Sequence, residues 1–277
     1  MNNSNKILSS NDWVDKKRKV TVTPKARRSP SSLHMHDYFE IELVLDGYGT
    51  QNLNGRMYEL SRGTVSFLSP IDFHEVIPKK ELQLINVSFD NNTISPKLLT
   101  ALINHDRDFI IQLQEDEITR FKFFTDLLAD NHNIDDEHSE TNIKNLLECL
   151  LILIIRNGIS QHDSKSNDDV LPMYKCMRYI FLHFAETPSL DDIAKISGYS
   201  TNYFSKQFHD ITGKKYIDFL TSLKLNHAKL MLTSTKKTVI DISSSCGFTS
   251  LSNFNRIFKK ETGLSPTEYR VRNTYSK

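Results

Sequence analysis

The sequence predicts an α+β fold of two domains, in which a β-barrel with an appended helical segment precedes a C-terminal domain made only of helices. Three observations predict this fold. Residues 20–89 alternate apolar and polar side chains between turn signals, residues 96–159 follow a helical period, and one helical pattern occurs twice after residue 188. The length of 277 residues and the 38% hydrophobic content suit a soluble protein with one or two cores.

The barrel is predicted from residues 20–89. Three pairs that end in glycine, which tight hairpins favour, mark its turns: Asp46-Gly47, Asn54-Gly55 and Arg62-Gly63. A single strand is predicted from His34 to Leu45, because side chains on a strand alternate between its two faces. One face carries the apolar side chains Phe39, Ile41, Leu43 and Leu45. The other face carries polar side chains that could bind a ligand: His34, His36, Tyr38 and Glu40.

Residues 96–159 predict two antiparallel helices. One has an apolar stripe through Phe121, Phe124, Leu127 and Leu128, and the other has a wider stripe from Ile143 to Ile154. We expect the wider stripe to pack on the barrel and a homodimer to form through these helices. A tether rich in Ser, Asp and Asn follows, from Asn157 to Asp169. The expected domains are therefore residues 1–160 and 173–277, joined by a linker over residues 161–172.

Two stretches of the C-terminal domain share one skeleton at an offset of 49 or 50 residues. The first copy contains Ser189, Asp192, Ile193, Gly198, Phe204, Phe208 and Gly213, and the second contains Thr238, Asp241, Ile242, Gly247, Phe254, Phe258 and Gly263. Each opens with a hydroxyl residue three positions before Asp, which predicts a reciprocally capped helix start. Each then has a glycine that can turn the chain at positive φ. The pattern predicts a duplicated helix-turn-helix.

The second helix of each copy has an apolar face at helical spacing and a polar face opposite to it. The polar face carries Thr201, Asn202, Ser205 and Lys206 in the first copy, and Ser252, Asn253, Asn255 and Arg256 in the second. Arg pairs with guanine and Asn with adenine, and the major groove admits a helix. Double-stranded DNA is therefore the predicted partner. The alternative for one copy alone is a solvated polar face, but two phased copies indicate a shared geometric task.

A long helix from Ile217 to Ser234 is predicted between the two copies, and it would fix their spacing near the roughly 34 Å of one DNA turn. Charge agrees with a DNA partner. Residues 166–277 contain 16 Lys and Arg against 10 Asp and Glu, whereas residues 1–165 contain 19 against 24. Phosphate neutralisation by the basic half would make DNA binding depend on salt.

Neither an export signal nor a membrane-spanning segment is predicted. The longest apolar run, residues 146–155, is far shorter than the about 20 residues that cross a bilayer. We therefore expect a cytoplasmic protein without a membrane partner. The three cysteines, Cys149, Cys176 and Cys246, have no paired or metal-like spacing, so they are expected to be reduced, buried thiols.

Residues 173–272 resemble the DNA-binding domain of the AraC/XylS family of transcription regulators. The resemblance is carried by residues 192–199, 203–208 and 246–263, and by Ser265-Pro266 and Tyr269-Arg270. It implies a regulator that binds promoter DNA and acts on RNA polymerase. It also implies that Asn202, Ser205, Lys206, Ser252, Asn255 and Arg256 face the groove. Two positions depart from the family pattern, with Ser243 in place of Ala and Lys224 in place of Arg.

The barrel segment resembles the cupins. His34, His36, Glu40 and Gly47 match the first cupin motif, and Gly63, Pro70 and His74 match the second. The resemblance implies that His34, His36, Glu40 and His74 meet inside a cupin-like barrel. Imidazole and carboxylate groups suit a divalent transition metal. The preferred prediction is nevertheless a site without a metal or cofactor, where these four side chains and Tyr38 hydrogen-bond a small effector such as a sugar.

Two alternatives to an effector-controlled regulator stay open. One is a metal-dependent cupin enzyme whose helical tail localises it on DNA. The other is a constitutive DNA-binding protein whose barrel serves only dimerisation. No catalytic residue is predicted, because no further acid or nucleophile accompanies the histidines. In the preferred mechanism the effector binds the active arrangement more tightly than the inactive one and shifts the population toward it.

Overall fold

The computed structural model describes residues 6–8, 14–15, 19–90, 93–103, 109–131, 134, 136–160 and 172–274. The chain divides into two compact units, Met1–Tyr174 and Lys175–Lys277. Residues 161–171 of the predicted linker lie outside the described part. The helix before them continues to Ser160, so the prediction that the tether starts at Asn157 is wrong for residues 157–160.

The first unit is built on one eight-stranded sheet. Its strands are β1 (Lys6–Leu8), β2 (Val20–Arg27), β3 (His34–His36), β4 (Phe39–Leu53), β5 (Arg56–Leu60), β6 (Thr64–Leu68), β7 (His74–Phe89) and β8 (Phe109–Gln112). The long strands β4 and β7 form its antiparallel centre, with bulges between Val44 and Gly49 that bend the pair. Strand β1 is parallel to β3, whereas the other pairings of the described strands are antiparallel.

The single strand predicted from His34 to Leu45 is wrong, because the chain breaks at Asp37 and Tyr38 into β3 and β4. Strand β3 pairs with β1 and with His74 of β7, whereas β4 pairs with β5, β6 and β7. In an unbroken strand, residues four apart are separated by about 13 Å. The break instead lets the side chains of His36 and Glu40 meet.

The apolar face predicted for this segment packs as expected. Phe39, Ile41 and Leu43 are buried, and the Phe39 ring stacks on Phe67 at 5.8 Å and on Phe89 at 5.3 Å between ring centroids. The opposite face of β4 is also buried, although it carries Glu40 and Glu42. Carboxylates lose hydration when they are buried, so that side of the sheet must supply their partners.

The helical part of the first unit contains α1 (Pro96–Ile103), α2 (Glu115–Asn131) and α3 (Ser139–Ser160). The two predicted helices are confirmed as α2 and α3. Helix α1 and the short strand β8, which pairs with β6, were not predicted from the sequence. The α3 stripe is buried at Ile143, Leu147, Leu150, Leu151 and Ile154. None of the described helices is both long enough and apolar enough to cross a membrane.

The second unit consists of helices. They are α4 (Pro172–His183), a 3₁₀ turn (Phe184–Glu186), α5 (Leu190–Ser197), α6 (Thr201–Thr212), α7 (Tyr216–Ser234), α8 (Val239–Ser245), α9 (Leu251–Thr262) and α10 (Pro266–Thr274). The long helix predicted between the copies is confirmed as α7. Helix α10 packs against α7 and α9 and was not predicted.

The three thiols differ in accessibility. Cys176 and Cys246 are buried, but Cys149 is exposed on α3, so the prediction of three buried thiols is wrong for Cys149. Its position falls between the buried Leu147 and Leu150 on the solvent side of the helix. Burial raises the pKa of the Cys246 thiol to about 12 and also raises that of Cys176.

We expect one thiol of the folded protein to react quickly with a disulfide reagent at neutral pH, because only a thiolate attacks and the two buried thiols stay protonated. Absorbance of the released product would count the reactive thiols. Cys149→Ser should abolish the fast phase, and denaturant should expose the remaining two thiols. Fast reaction of more than one thiol in the folded protein would contradict the assignment.

Candidate nucleic-acid interface and sensor cluster

The first helix-turn-helix consists of α5 and α6. Ser189 precedes α5 and its Oγ accepts a hydrogen bond from the Asp192 backbone N at 3.2 Å. Gly198 ends α5 in the left-handed region at φ 72°. Ser200 then caps α6 by accepting from Tyr203 N at 3.4 Å. These caps satisfy amide groups that a helix start otherwise leaves unpaired, and they confirm the helix boundaries predicted from the sequence.

The second helix-turn-helix consists of α8 and α9 and repeats this construction. Thr238 and Asp241 form a complete capping box at the start of α8, in which each side chain accepts from the other residue's backbone N. Gly247 lies in the turn at φ 71°. Ser250 caps α9 through the backbone N of Asn253 at 3.4 Å.

Both copies close around the same aromatic arrangement. In the first, Phe204 and Phe208 are buried with ring centroids 5.7 Å apart, and Phe208 meets Phe219 edge to face at 5.3 Å. In the second, Phe254 and Phe258 are buried at 5.4 Å, and Phe258 meets Tyr269 edge to face at 5.4 Å. Buried aromatics of this size contribute several kcal/mol each. The duplication seen in the sequence is thus a duplication of the core.

With these cores formed, the polar faces of α6 and α9 point outward. The exposed side chains among the predicted DNA contacts are Asn202, Ser205, Lys206, Ser252, Asn253, Asn255 and Arg256. An open groove of about 760 Å³ borders the α6 face and includes Asn202, Ser205 and Lys206 in its lining. The two polar helix faces are therefore accessible to a large partner.

Three of the predicted contact residues, Thr201, Asn253 and Arg256, form side-chain hydrogen bonds within the described part of the protein. Thr201 is half-buried and its Oγ1 donates to Asp191 Oδ1 at 2.6 Å, so this hydroxyl fastens α6 to α5. Arg256 Nη2 donates to Asn253 Oδ1 at 3.0 Å. That bond leaves the rest of the guanidinium free to point away from α9 and restricts its orientation before any contact with DNA.

Lys224 of α7 connects the two halves of this unit. Its Nζ donates to Thr187 Oγ1 at 2.6 Å, just before the first helix-turn-helix, and to the Gly247 carbonyl O at 2.7 Å in the turn of the second. The ammonium also lies 5.5 Å from the centroid of the Phe248 ring. Burial lowers the pKa of Lys224. In the sequence Lys224 stood out only as a replacement for Arg, and its bridge between the copies was not predicted.

In the first unit the break between β3 and β4 brings together four side chains, His34, His36, Glu40 and His74, which we call the sensor cluster. Glu40 Oε2 lies 3.4 Å from His36 Nε2 and 3.5 Å from His74 Nε2. The His34 ring centroid lies 4.2 Å from that of His74. Tyr38 is buried beside the cluster and its ring stacks on His36 at 4.2 Å. The structure therefore places all five predicted effector residues in one region.

The other carboxylate oxygen of Glu40 has partners that the sequence analysis missed. Glu40 Oε1 accepts from Lys25 Nζ at 3.2 Å and from Asn86 Nδ2. The neighbouring Glu42 pairs with Arg27 at 3.4 Å. Lys25 and Asn86 come from β2 and β7 and belong to no motif, so only the strand register could have revealed them.

Opposing effects set the charge state of the cluster. Burial by itself raises the pKa of the Glu40 carboxyl, but the adjacent imidazoles of His36 and His74, together with the Lys25 ammonium, hold that pKa well below its ordinary value. Burial lowers the pKa of His74 to about 4 and also lowers that of His34. Burial raises the pKa of the Tyr38 phenol. At neutral pH, Glu40 is therefore ionised, whereas His74, His34 and Tyr38 are neutral.

Each of the two units matches a known protein family. Residues 24–167 match the family model described as an AraC-like ligand binding domain, and residues 193–272 match a helix-turn-helix domain. The HTH-type transcriptional activator RhaS of Enterobacter sp. (strain 638) is 25% identical over 91% of both chains. RhaS of Mannheimia succiniciproducens is 24% identical over 96% of this chain and 99% of its own. The ToxT structure from Vibrio cholerae covers 93% of this chain and 99% of its own at 13% identity and a TM-score of 0.38.

The duplicated helix-turn-helix behind a ligand-binding domain defines a DNA-binding transcription regulator with an effector-binding domain. The chain belongs to the AraC family of transcription regulators.

Proposed function

We propose that this protein is a cytoplasmic, effector-controlled activator of transcription that is not an enzyme. In this proposal the faces of α6 and α9 read two successive major-groove segments of a promoter, and a small molecule at the sensor cluster and Tyr38 sets the activity. The names of the RhaS relatives support activation rather than repression, and activation implies contact with RNA polymerase. The proposed domains are residues 1–160 and 173–277.

The single observation that carries the proposal is the repeated polar helix face. Asn202, Ser205 and Lys206 on α6 have counterparts in Ser252, Asn255 and Arg256 on α9, each behind a capped start and an aromatic core. Amide, hydroxyl and guanidinium groups at such positions are those that read base edges in the major groove. At the 50-residue offset all three positions are polar in both copies, and the last of them is a cation in both, Lys206 and Arg256. A merely solvated surface would not require this repeat.

We propose a sugar as the effector. The buried face that contains the sensor cluster also carries hydroxyl, amide and carboxylate side chains, which suit a polyhydroxyl ligand: Glu42, Gln51, Ser66, Asn86 and Ser88. We further propose a homodimer through α2 and α3, since Phe123 of α2 and Ile152 of α3 are exposed.

Arg256→Ala should cost about 1–3 kcal/mol of binding free energy on the preferred site and relax the preference at one base pair. Arg256 is exposed and pre-oriented by Asn253, as a base contact requires. Competition binding against sites altered one base pair at a time would measure both effects.

Lys259→Ala is the matched control, since Lys259 is an exposed cation of the same helix outside the set of predicted base contacts. It should weaken all sites alike and reduce the salt dependence. If Arg256→Ala also weakens every altered site equally, Arg256 contacts phosphate and its assignment to a base is wrong.

The effector role separates this proposal from a constitutive DNA-binding protein. His36→Ala should leave DNA affinity without effector nearly unchanged and abolish the response to the effector.

Thermal shift of the full chain against a panel of sugars and related metabolites would identify a stabilising compound, because a ligand that binds only the folded state raises its stability. Stabilisation by none of them, or equal loss of DNA affinity with and without effector in His36→Ala, would contradict the effector role.

A further inference from the structure

We infer that the sensor cluster is a binding site for a divalent transition-metal ion, with His36, Glu40 and His74 as its protein ligands. This inference rests on the proposed effector site and adds that a metal ion binds within it. Each of the three residues offers one ligand atom, and these atoms lie within 4.8 Å of one another. All three side chains are buried, at 0–3% exposure.

The orientation of His36 suits a metal ligand. Its Nδ1 lies 2.6 Å from the backbone carbonyl O of Tyr38, and a carbonyl oxygen only accepts, so Nδ1 carries the proton. In the neutral ring Nε2 then carries a lone pair and no proton. It faces Glu40 Oε2 at 3.4 Å without a hydrogen bond. Two acceptors directed at each other need either a proton or a metal ion between them. A backbone carbonyl that fixes the opposite ring nitrogen is also how proteins orient metal-binding histidines.

His74 directs a third ligand atom to the same place. His74 is fully buried and neither of its ring nitrogens has a hydrogen-bond partner in the described part of the chain. Its Nε2 points toward the same Glu40 oxygen. A proton bridges two atoms, whereas a metal ion satisfies three donors at once. Unsatisfied buried polar atoms cost about 1–3 kcal/mol each, and a bound ion would remove this cost at the Nε2 atoms of His36 and His74.

The two carboxylate oxygens of Glu40 have different partners. Lys25 and Asn86 hold Oε1, and Oε2 alone is directed at the two imidazoles. The carboxylate is therefore oriented by outer partners and offers a single oxygen inward, as in other metal sites. The nearby Glu42 is already paired with Arg27 and is not needed as a ligand.

Distances favour an ion over an organic molecule between these groups. Ligands about 2.1 Å from a metal ion are roughly 3.0–3.4 Å from each other. The observed separations from Glu40 Oε2 are 3.4 Å to His36 Nε2 and 3.5 Å to His74 Nε2. Two imidazoles and one carboxylate suit Zn, Fe, Mn or Ni, and three protein ligands leave coordination positions for an oxygen-bearing effector.

The test is a titration of the full chain with Co²⁺ as the probe. The protein is prepared without a histidine tag, stripped with a chelator and titrated at neutral pH with neither DNA nor effector present. We expect one equivalent of Co²⁺ to bind with visible absorption bands, and X-ray absorption at the cobalt edge to show nitrogen and oxygen ligands that include imidazole. Co²⁺ binding to the wild-type protein that does not saturate, or that involves sulfur ligands, would overturn the site.

Variants locate the ion. His36→Ala, Glu40→Gln and His74→Ala should each lose the stoichiometric binding, while His138→Ala, which removes an exposed imidazole far outside the cluster in sequence, should keep it. Retained binding in the cluster variants would overturn the assignment. If a variant fails to fold, the X-ray absorption of the wild-type complex still decides. Because the titration contains no DNA, failure of the metal site leaves sequence-specific DNA binding to be judged by its own experiment.

Discussion

Gly247→Ala is expected to destabilise the helix-turn-helix unit by about 2–5 kcal/mol and to abolish specific DNA binding. Gly247 has φ +71°, which already disfavours any residue with a Cβ. A Cβ at this position would also overlap the backbone carbonyl oxygen of Ala185 and lie 2.7 Å from its carbonyl carbon. Backbone atoms cannot move aside as a flexible side chain can, so the turn of the second copy would have to shift.

Urea unfolding of the full chain, followed by circular dichroism, would measure this loss. Gly263→Ala is the matched control, because Gly263 has φ +76° and a Cβ added there would meet nothing within 4 Å. Gly263→Ala should lower the free energy of unfolding by about 1–2 kcal/mol, because only the strain of a left-handed backbone is added. Equal destabilisation by the two substitutions would show that the close approach of Gly247 to Ala185 has no energetic importance.

Lys224→Met should lower the free energy of unfolding by about 2–3 kcal/mol. The substitution keeps most of the buried side-chain volume but removes both hydrogen bonds, leaving Thr187 Oγ1 and the Gly247 carbonyl O without this donor. Since these two acceptors belong to different halves of the unit, the relative placement of α6 and α9 should also loosen. Affinity for a site with both DNA segments should fall more than affinity for one segment.

Lys224→Arg is the conservative control, because guanidinium can donate to both acceptors. It should recover most of the stability and of the affinity for the two-segment site. Binding isotherms on the two DNA lengths, compared with urea unfolding of the same preparations, separate a positioning role from general destabilisation. Wild-type stability and wild-type affinity in Lys224→Met would show that the bridge contributes nothing.

The helix-turn-helix pair could be predicted from the sequence because its signals are local. The helix caps and the glycine turns depend on residues only a few positions apart, such as Ser189 with Asp192 and Thr238 with Asp241. The spacing of the phenylalanines specifies the buried face. The structure adds Lys224, whose partners lie 37 and 23 residues away along the chain. Contacts at such separations depend on how helices pack, which periodicity does not specify.

The sensor cluster was predicted only in part for a similar reason. Strand alternation placed His34, His36 and Glu40 on one face, but it treated residues 34–45 as one strand. The break at Asp37 and Tyr38 depends on β3 pairing with β1 and β7, which are distant in sequence. Lys25 and Asn86 reach Glu40 through the pairing of β2 and β7, and no motif marks them.

The central claim is that α6 and α9, joined by the 19-residue α7 of roughly 28 Å, enter one duplex together. Selection of preferred sites from random duplexes, followed by footprinting at moderate salt, tests it most directly. We expect two short sequence elements about 10 base pairs apart, and loss of binding when about 5 base pairs are inserted between them. A preference for one element alone, indifference to the insertion, or no preference over random competitor would contradict it.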